Sequence, residues 1–441
     1  LRCVGGTTNH WGGPCRPLDP HDFEKRDWVS HSGWPITRAE LDPFYARAQK
    51  ICELGPYRYG AEHWAAPGAR PLPMRSDRIF PAIFQLSTPT RFGKKYRDEL
   101  ASATNVTSYL HANALRFNAS REANRVSSVD IRNLDGREAR IRARAFVLAT
   151  GGIENARLLL LSNREQPHGL GNANGLVGRF FMDHPIIDDT AEAALPSDLN
   201  LSFFTQLRDQ NGARVRGILS LRPEVQQERH LLNAGFMLSR SRFPAVDTAK
   251  SILAELRSGQ FDDDFFADLW SVVQDFDQIA EKAYGKVGGP QAVRVKYWSE
   301  PQPNPESRIT LAEERDKFGQ RRVQVHWALT EQDRRNLVAA HRLLAEELGA
   351  AGLGRLRLRF EADSEDWPEE IAVRFSFHQM GTTRMAASPA EGVVDRDCRV
   401  HGVANLFVAG SSVFPTAGHA NPTLTIVALA LRLADHLRGQ L

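Results

Sequence analysis

The segment that most constrains this 441-residue chain lies near its C-terminus, where residues 405–435 read NLFVAGSSVFPTAGHANPTLTIVALALRLAD. The pattern is an apolar strand, a loop of small residues with polar tips, and an apolar helix that starts at Asn421-Pro422. Asn is a preferred N-cap, and Pro suits the first helical position because the N–H it lacks has no intrahelical partner there. The free N–H groups and the macrodipole put about half a positive charge at such a helix start. Strand, loop and helix therefore converge on a place suited to developing negative charge.

Composition narrows the field. With 42% hydrophobic residues the chain is long enough to fill two cores, and two lobes are expected. The net charge is +3, from 56 basic and 53 acidic residues that are interspersed, so neither nucleic acid nor an anionic membrane is an expected partner. Cys3, Cys15, Cys52 and Cys398 form no Cys-x-x-Cys pair and no zinc-type cluster, which predicts free thiols and no metal site. No segment reaches the ~18 consecutive apolar residues of a membrane span.

Thr37 and Glu40 have capping-box spacing and lead an amphipathic helix toward Gly55. Residues 56–95, rich in Pro, Gly, Arg and aromatics, read as an irregular covering segment. Alternating strands around Asp135-Gly136 predict a hairpin, and residues 145–161 predict a strand, a glycine pair and a helix of the kind found in parallel nucleotide-binding sheets. From about residue 186 to 374 longer alternating strands, such as 215–221 and 321–327, mix with helices near 247–283 and 330–349, which predicts an antiparallel sheet backed by helices. The run FDDDFF at 261–266 lacks the Gly and terminal Glu of a calcium loop and reads as a solvated helix start.

Five blocks together carry a family resemblance: VGGTTNHWGG at 4–13, GWPITRAELDPFY at 33–45, VLATGGIENARL at 147–158, HQMGTTRM at 378–385, and the C-terminal segment. In this combination and order the chain resembles the glucose-methanol-choline (GMC) flavoprotein oxidoreductases, and within them the pyranose oxidase-like branch. The resemblance implies FAD as cofactor and an α/β fold: a discontinuous, Rossmann-like FAD lobe plus a substrate lobe with an antiparallel sheet backed by helices. Residues 1–185 and 375–441 would build the FAD lobe, and 186–374 the substrate lobe.

Residue by residue, the resemblance implies that Gly5, Gly6, Thr7, Thr8, Asn9, His10, Trp11 and Gly12 meet the cofactor. Leu115, Thr150, Gly151, Gly410, Ser411, Asn421, Pro422 and Thr423 would join them. Asn9 stands where the covalently linked members have Thr, so non-covalent contact of His10 beneath the flavin is the expectation. His378 matches the family's catalytic base and Asn421 its partner, with His419 as second choice for either role. His184, in FMDHP at 181–185, matches a recurrent block and is expected to close the flavin lobe structurally.

The implied activity is oxidation of a CH–OH group of a sugar or glycoside by hydride transfer to flavin N5, with a small-molecule alcohol or sugar as substrate and oxygen, a quinone or a cytochrome as electron acceptor. A hydroxynitrile lyase on the same fold and an inactive or assembly-dependent flavoprotein fragment are the alternatives. The second arises because complete members open with a strand, a Gly-x-Gly-x-x-Gly turn and a helix, whereas this chain begins at Leu1-Arg2. A partner chain supplying that unit is the corresponding expectation, and a bacterial cytoplasmic or periplasmic location goes with it.

Overall fold

A nine-stranded sheet dominates the computed structural model, which describes residues 2–75, 77–205, 207–240, 291–363, 367–368 and 372–440. Its strands run in the order Pro14–Cys15, Ile79–Leu86, Ala213–Leu221, Ala234–Arg240, Gln291–Ser299, Pro185–Leu195 and Arg355–Leu358. Arg208–Gln210 and Arg374–Phe375 pair off this path, and every pairing is antiparallel. One face packs Ile83, Ile187, Phe236, Val295 and Tyr297 against Leu337, Leu344 and Leu348 of the helix Glu331–Ala350. That helix is started by Thr330, whose side chain accepts the Asp333 N–H while the Asp333 carboxylate accepts the Thr330 N–H, a cap worth about 1 kcal/mol.

The reading of residues 56–95 as irregular is corrected by the strand Ile79–Leu86, which pairs with Ala213–Leu221 from Ile79 opposite Leu221 to Leu86 opposite Arg214. Ile79 and Ile83 face the main core of this sheet, and Ala82 and Phe84 join Ile218 and Trp298 on the other face. A strand buried on both faces shows a continuous apolar run, so the alternation that marks a strand in the sequence is lost. The helix near 247–283 and the acidic run at 261–266 lie outside the described residues.

A second core joins both ends of the chain. Leu148 and Phe407 belong to a parallel pair, Phe146–Leu148 with Leu406–Val408, and pack with Leu159, Phe414 and Leu424. The helix Glu154–Leu161 follows the first strand of the pair, and Thr423–Gln440 follows the second after a tight loop. Tyr45 of the helix Arg38–Ile51 reaches Thr425 Oγ1 at 2.8 Å and so ties that helix to the last one. The Thr37–Glu40 capping box forms as expected, although the helix ends at Ile51, ahead of Gly55. The hairpin also forms, as Asn113–Ala119, Val126–Arg132 and Glu138–Ile141 in one antiparallel sheet, with Gly136 at φ 85° in the turn.

All four cysteines are free. Among the described residues no helix is long and apolar enough to cross a membrane, and no cluster of side chains has a metal-ligating arrangement.

Candidate active site

His378 and Asn421 lie 43 positions apart in the chain and meet in the fold, with Asn421 Nδ2 3.1 Å from His378 Nε2. The other ring nitrogen, Nδ1, lies 2.9 Å from Nδ1 of His184. Nε2 of His184 in turn donates to the Gly418 carbonyl at 2.8 Å. The middle of the chain and its C-terminal part therefore meet at one histidine. Burial pushes the His378 pKa down to about 3, with the neighbouring His184 adding to the fall, so the ring is neutral at pH 7.

The backbone beneath His378 is held from the strand-leading segment 181–185. Asp183 is fully buried, and its carboxylate accepts the backbone N–H groups of Phe377 and His378 and the hydroxyl of Ser376. Burial raises the Asp183 pKa, and those hydrogen bonds work against the rise.

The loop before the last helix is anchored on a buried ion pair. Gly418 N–H donates to Glu300 Oε2 at 3.2 Å, and Glu300 pairs with the guanidinium of Arg26 through both oxygens. Burial works against the Glu300 carboxylate, yet Arg26 outweighs it and keeps the pKa below the usual range. Gly418 has φ 53°, and a Cβ there would lie 2.6 Å from the Asp22 carboxylate and 2.7 Å from Leu18, so only glycine fits.

Of the residues expected to meet FAD, Thr150, Gly151, Gly410 and Ser411 follow the carboxyl ends of the parallel strands. Thr150 and Gly151 are exposed, and both the N–H and the hydroxyl of Thr150 donate to Asn155 Oδ1. Asn155 Nδ2 reaches across to the Ala409 carbonyl and Ser412 Oγ, so one buried amide fastens both strand ends. Gly151 (φ 94°) has no atom within 4 Å of where a Cβ would stand, and Gly410 (φ 110°) has only the Asn155 amide at 3.9 Å. Gly6 is likewise open, whereas Gly5 packs on the Gly93 backbone. Asn9 closes its own loop through the Val4 and Gly6 carbonyls, Trp11 donates to the Thr90 carbonyl, and Thr7, His10 and Gly12 are exposed.

Ser411 is buried and donates to the Gln379 carbonyl, Leu115 is buried on its strand, and Pro422 accepts the Ile426 N–H at the start of the last helix, one residue before Thr423. Open backbone at Gly151 and Gly410, just past the ends of the parallel strands, fits the close approach of an anionic ligand such as FAD.

The structure separates His419 from the pair and adds His184 to it. His419 does not join the pair: its ring packs against Phe84, Nε2 is 3.4 Å from Ser220 Oγ, and Nδ1 faces Asp19 at 3.9 Å. The chain direction through Gly418 and Ala420 turns this side chain toward the sheet and turns Asn421 toward His378. His184, expected to close the flavin lobe structurally, lies in direct contact with His378. Asp183 and Asn155 were passed over. Their only signal in the sequence is a polar residue inside an otherwise apolar block.

Residues 303–430 match the profile described as GMC oxidoreductase. The fructose dehydrogenase large subunit of Gluconobacter japonicus is 26% identical over all of this chain and 81% of its own length. The paromamine 6'-oxidase of Streptomyces fradiae is 26% identical over 99% of this chain and 79% of its own. Formate oxidase from Aspergillus oryzae shares the fold, with a TM-score of 0.53 and 16% identity over 99% of this chain and 84% of that one. The profile match over the C-terminal part and the end-to-end likeness to these relatives make the chain similar to the GMC oxidoreductases and support an FAD-type oxidoreductase.

Proposed function

We propose that this protein oxidises a CH–OH group of a sugar or glycoside, with His378 taking the hydroxyl proton and Asn421 orienting the oxygen. The observation that carries the reading is the 3.1 Å pairing of His378 Nε2 with the Asn421 amide beside the start of the last helix. FAD, when bound, supplies at its N5 the acceptor for the hydride that leaves the carbinol carbon. Gly6, Thr150, Gly151, Gly410 and the 421–423 helix start would hold it. The same helix start favours negative charge in front of it, and a pre-organised donor of this type is worth roughly 3 kcal/mol in acyl-transfer sites.

A neutral His378 is ready to accept a proton at pH 7. Burial disfavours the imidazolium, and an alkoxide within hydrogen-bond reach supplies the opposite charge that offsets this. The Asn421 amide then fixes the oxygen. We assign residues 1–185 and 375–441 to the flavin lobe and 186–374 to the substrate lobe. Phe84, Ile218 and Trp298, with Phe80, Ile186 and Met237 beside them, form the apolar wall that faces the 418–421 loop. The sugar assignment is supported by the two relatives, one named for fructose and one for paromamine.

The test is anaerobic mixing of the FAD-loaded protein with fructose, glucose and glycosides, followed at the flavin absorption band. Bleaching is expected with at least one sugar, slowed about 10²- to 10⁴-fold in H378A. Bleaching by simple alcohols alone would overturn the sugar assignment. Cleavage of an aromatic cyanohydrin without bleaching would turn the reading to a lyase.

A further inference from the structure

We propose that His184 is a positioning residue that fixes His378 as the Nδ1–H tautomer and thereby keeps the Nε2 lone pair aimed at Asn421 and the substrate. The inference rests on the reading of His378 as the base, and it concerns how that base is made ready.

The argument follows hydrogen-bond direction from one end of the chain of contacts to the other. A carbonyl oxygen only accepts, so the 2.8 Å contact between His184 Nε2 and the Gly418 carbonyl requires a proton on Nε2 of His184. A neutral imidazole carries one N–H, which leaves His184 Nδ1 as an acceptor. The 2.9 Å contact between the two Nδ1 atoms then requires the proton of His378 to sit on its Nδ1. His378 Nε2 is left with its lone pair free, and the Asn421 Nδ2 group, a donor, faces it at 3.1 Å. The far end of the relay thus reaches the same assignment independently of the near end.

The anchor of this relay is rigid. His184 is 1% exposed, so its ring has no water as an alternative partner. The Gly418 carbonyl it addresses belongs to a residue that admits no side chain and whose own N–H is held by Glu300, itself paired with Arg26. When His378 takes up a proton at Nε2, its Nδ1–H still donates to His184, so the relay survives both states of the base. A hydrogen-bonded partner that sets the tautomer of a catalytic histidine is worth orders of magnitude in rate where it has been removed in serine proteases.

The test uses the full chain labelled with ¹⁵N-histidine, with H378N identifying the His378 ring signals, and two further variants. In the wild type the His378 Nδ1 signal is expected to be of the protonated type and Nε2 of the lone-pair type. In H184N the amide oxygen stands in for His184 Nδ1 and keeps an acceptor for His378. In H184Q the amide nitrogen stands in for Nε2 and leaves none. H184N is therefore expected to keep the tautomer and a rate of flavin reduction within about threefold of wild type, whereas H184Q loses the tautomer and slows the step more than about tenfold with little change in KM. A wild-type His378 that carries its proton on Nε2, or one that keeps it on Nδ1 in H184Q, overturns the proposal. Full activity in H378N would overturn His378 as base, while the tautomer signals would still decide the role of His184.

Discussion

The carboxylate of Asp183 accepts the backbone N–H of His378 at 2.9 Å, across 195 positions of sequence. Its second oxygen takes the N–H of Phe377 at 3.1 Å, and Phe377 sits at φ 61°. A bulky residue in that region costs about 1–3 kcal/mol, and the Phe377 side chain is 80% exposed, so its own burial does not offset the strain. Asp183 therefore holds the turn that aims His378.

Replacing Asp183 by Asn exchanges one acceptor for a donor facing a donor. D183N is expected to lose about 1–3 kcal/mol of stability and to slow flavin reduction more than it changes substrate affinity. Urea unfolding and stopped-flow reduction check the two effects separately. A variant destabilised with unchanged reduction kinetics would remove Asp183 from the positioning of His378.

Breaking the Arg26–Glu300 pair leaves a buried charge without a partner, since the two residues are 3% and 0% exposed. E300Q is expected to cost about 3–5 kcal/mol, and the double variant R26M/E300Q is expected to recover a large part of that loss. Denaturant midpoints of the three proteins measure it. Equal losses in the single and double variants would mean that the pair acts only through packing.

His341 sets a pH dependence of stability. It is fully buried, donates from Nδ1 to the Leu337 carbonyl at 2.7 Å and accepts from Thr190 Oγ1 at Nε2, so the neutral ring satisfies both contacts. Burial pushes its pKa from the ordinary 6.5 down to about 4. The unfolded chain then binds this proton more readily than the folded one. The advantage of the neutral ring is complete above about pH 6.5 and is lost as pH falls to about 4, a change on the order of 3 kcal/mol. The stability gap between wild type and H341Q, measured by urea unfolding at pH 7 and pH 4.5, is expected to narrow at the lower pH. A gap that is constant or widens would contradict the assignment.

Gly152 makes the contact between the 147–158 block and the 378–385 block. A Cβ there would lie 2.4 Å from the Gln379 carbonyl, which is backbone and cannot swing aside. G152A is expected to cost about 1–3 kcal/mol and to lower the FAD content of the purified protein, read from absorbance at the flavin band against that of the protein. G349A, in the last turn of the helix Glu331–Ala350, serves as control because its Cβ meets nothing within 4 Å and its backbone is helical. If the two variants retain FAD equally, the contact has no part in shaping the cradle.

Local chemistry was legible in the sequence wherever neighbours along the chain decide the outcome. The capping box at Thr37, the Asp135-Gly136 turn, the strand at 406–408 and the helix start after Asn421 all follow from residues within a few positions of one another. The candidate pair His378 and Asn421 was also readable, because each stands inside a block whose pattern resembles a known family. What only the tertiary structure decided are contacts between distant segments. His184 reaches His378 across 194 positions, Ile79–Leu86 becomes a strand because Ala213–Leu221 and two apolar layers receive it, and His419 turns away because Phe84 and Trp298 occupy the space beside it. Hydrogen-bond direction and burial belong to packed neighbours, and packing is settled by the whole chain at once rather than by any window of it.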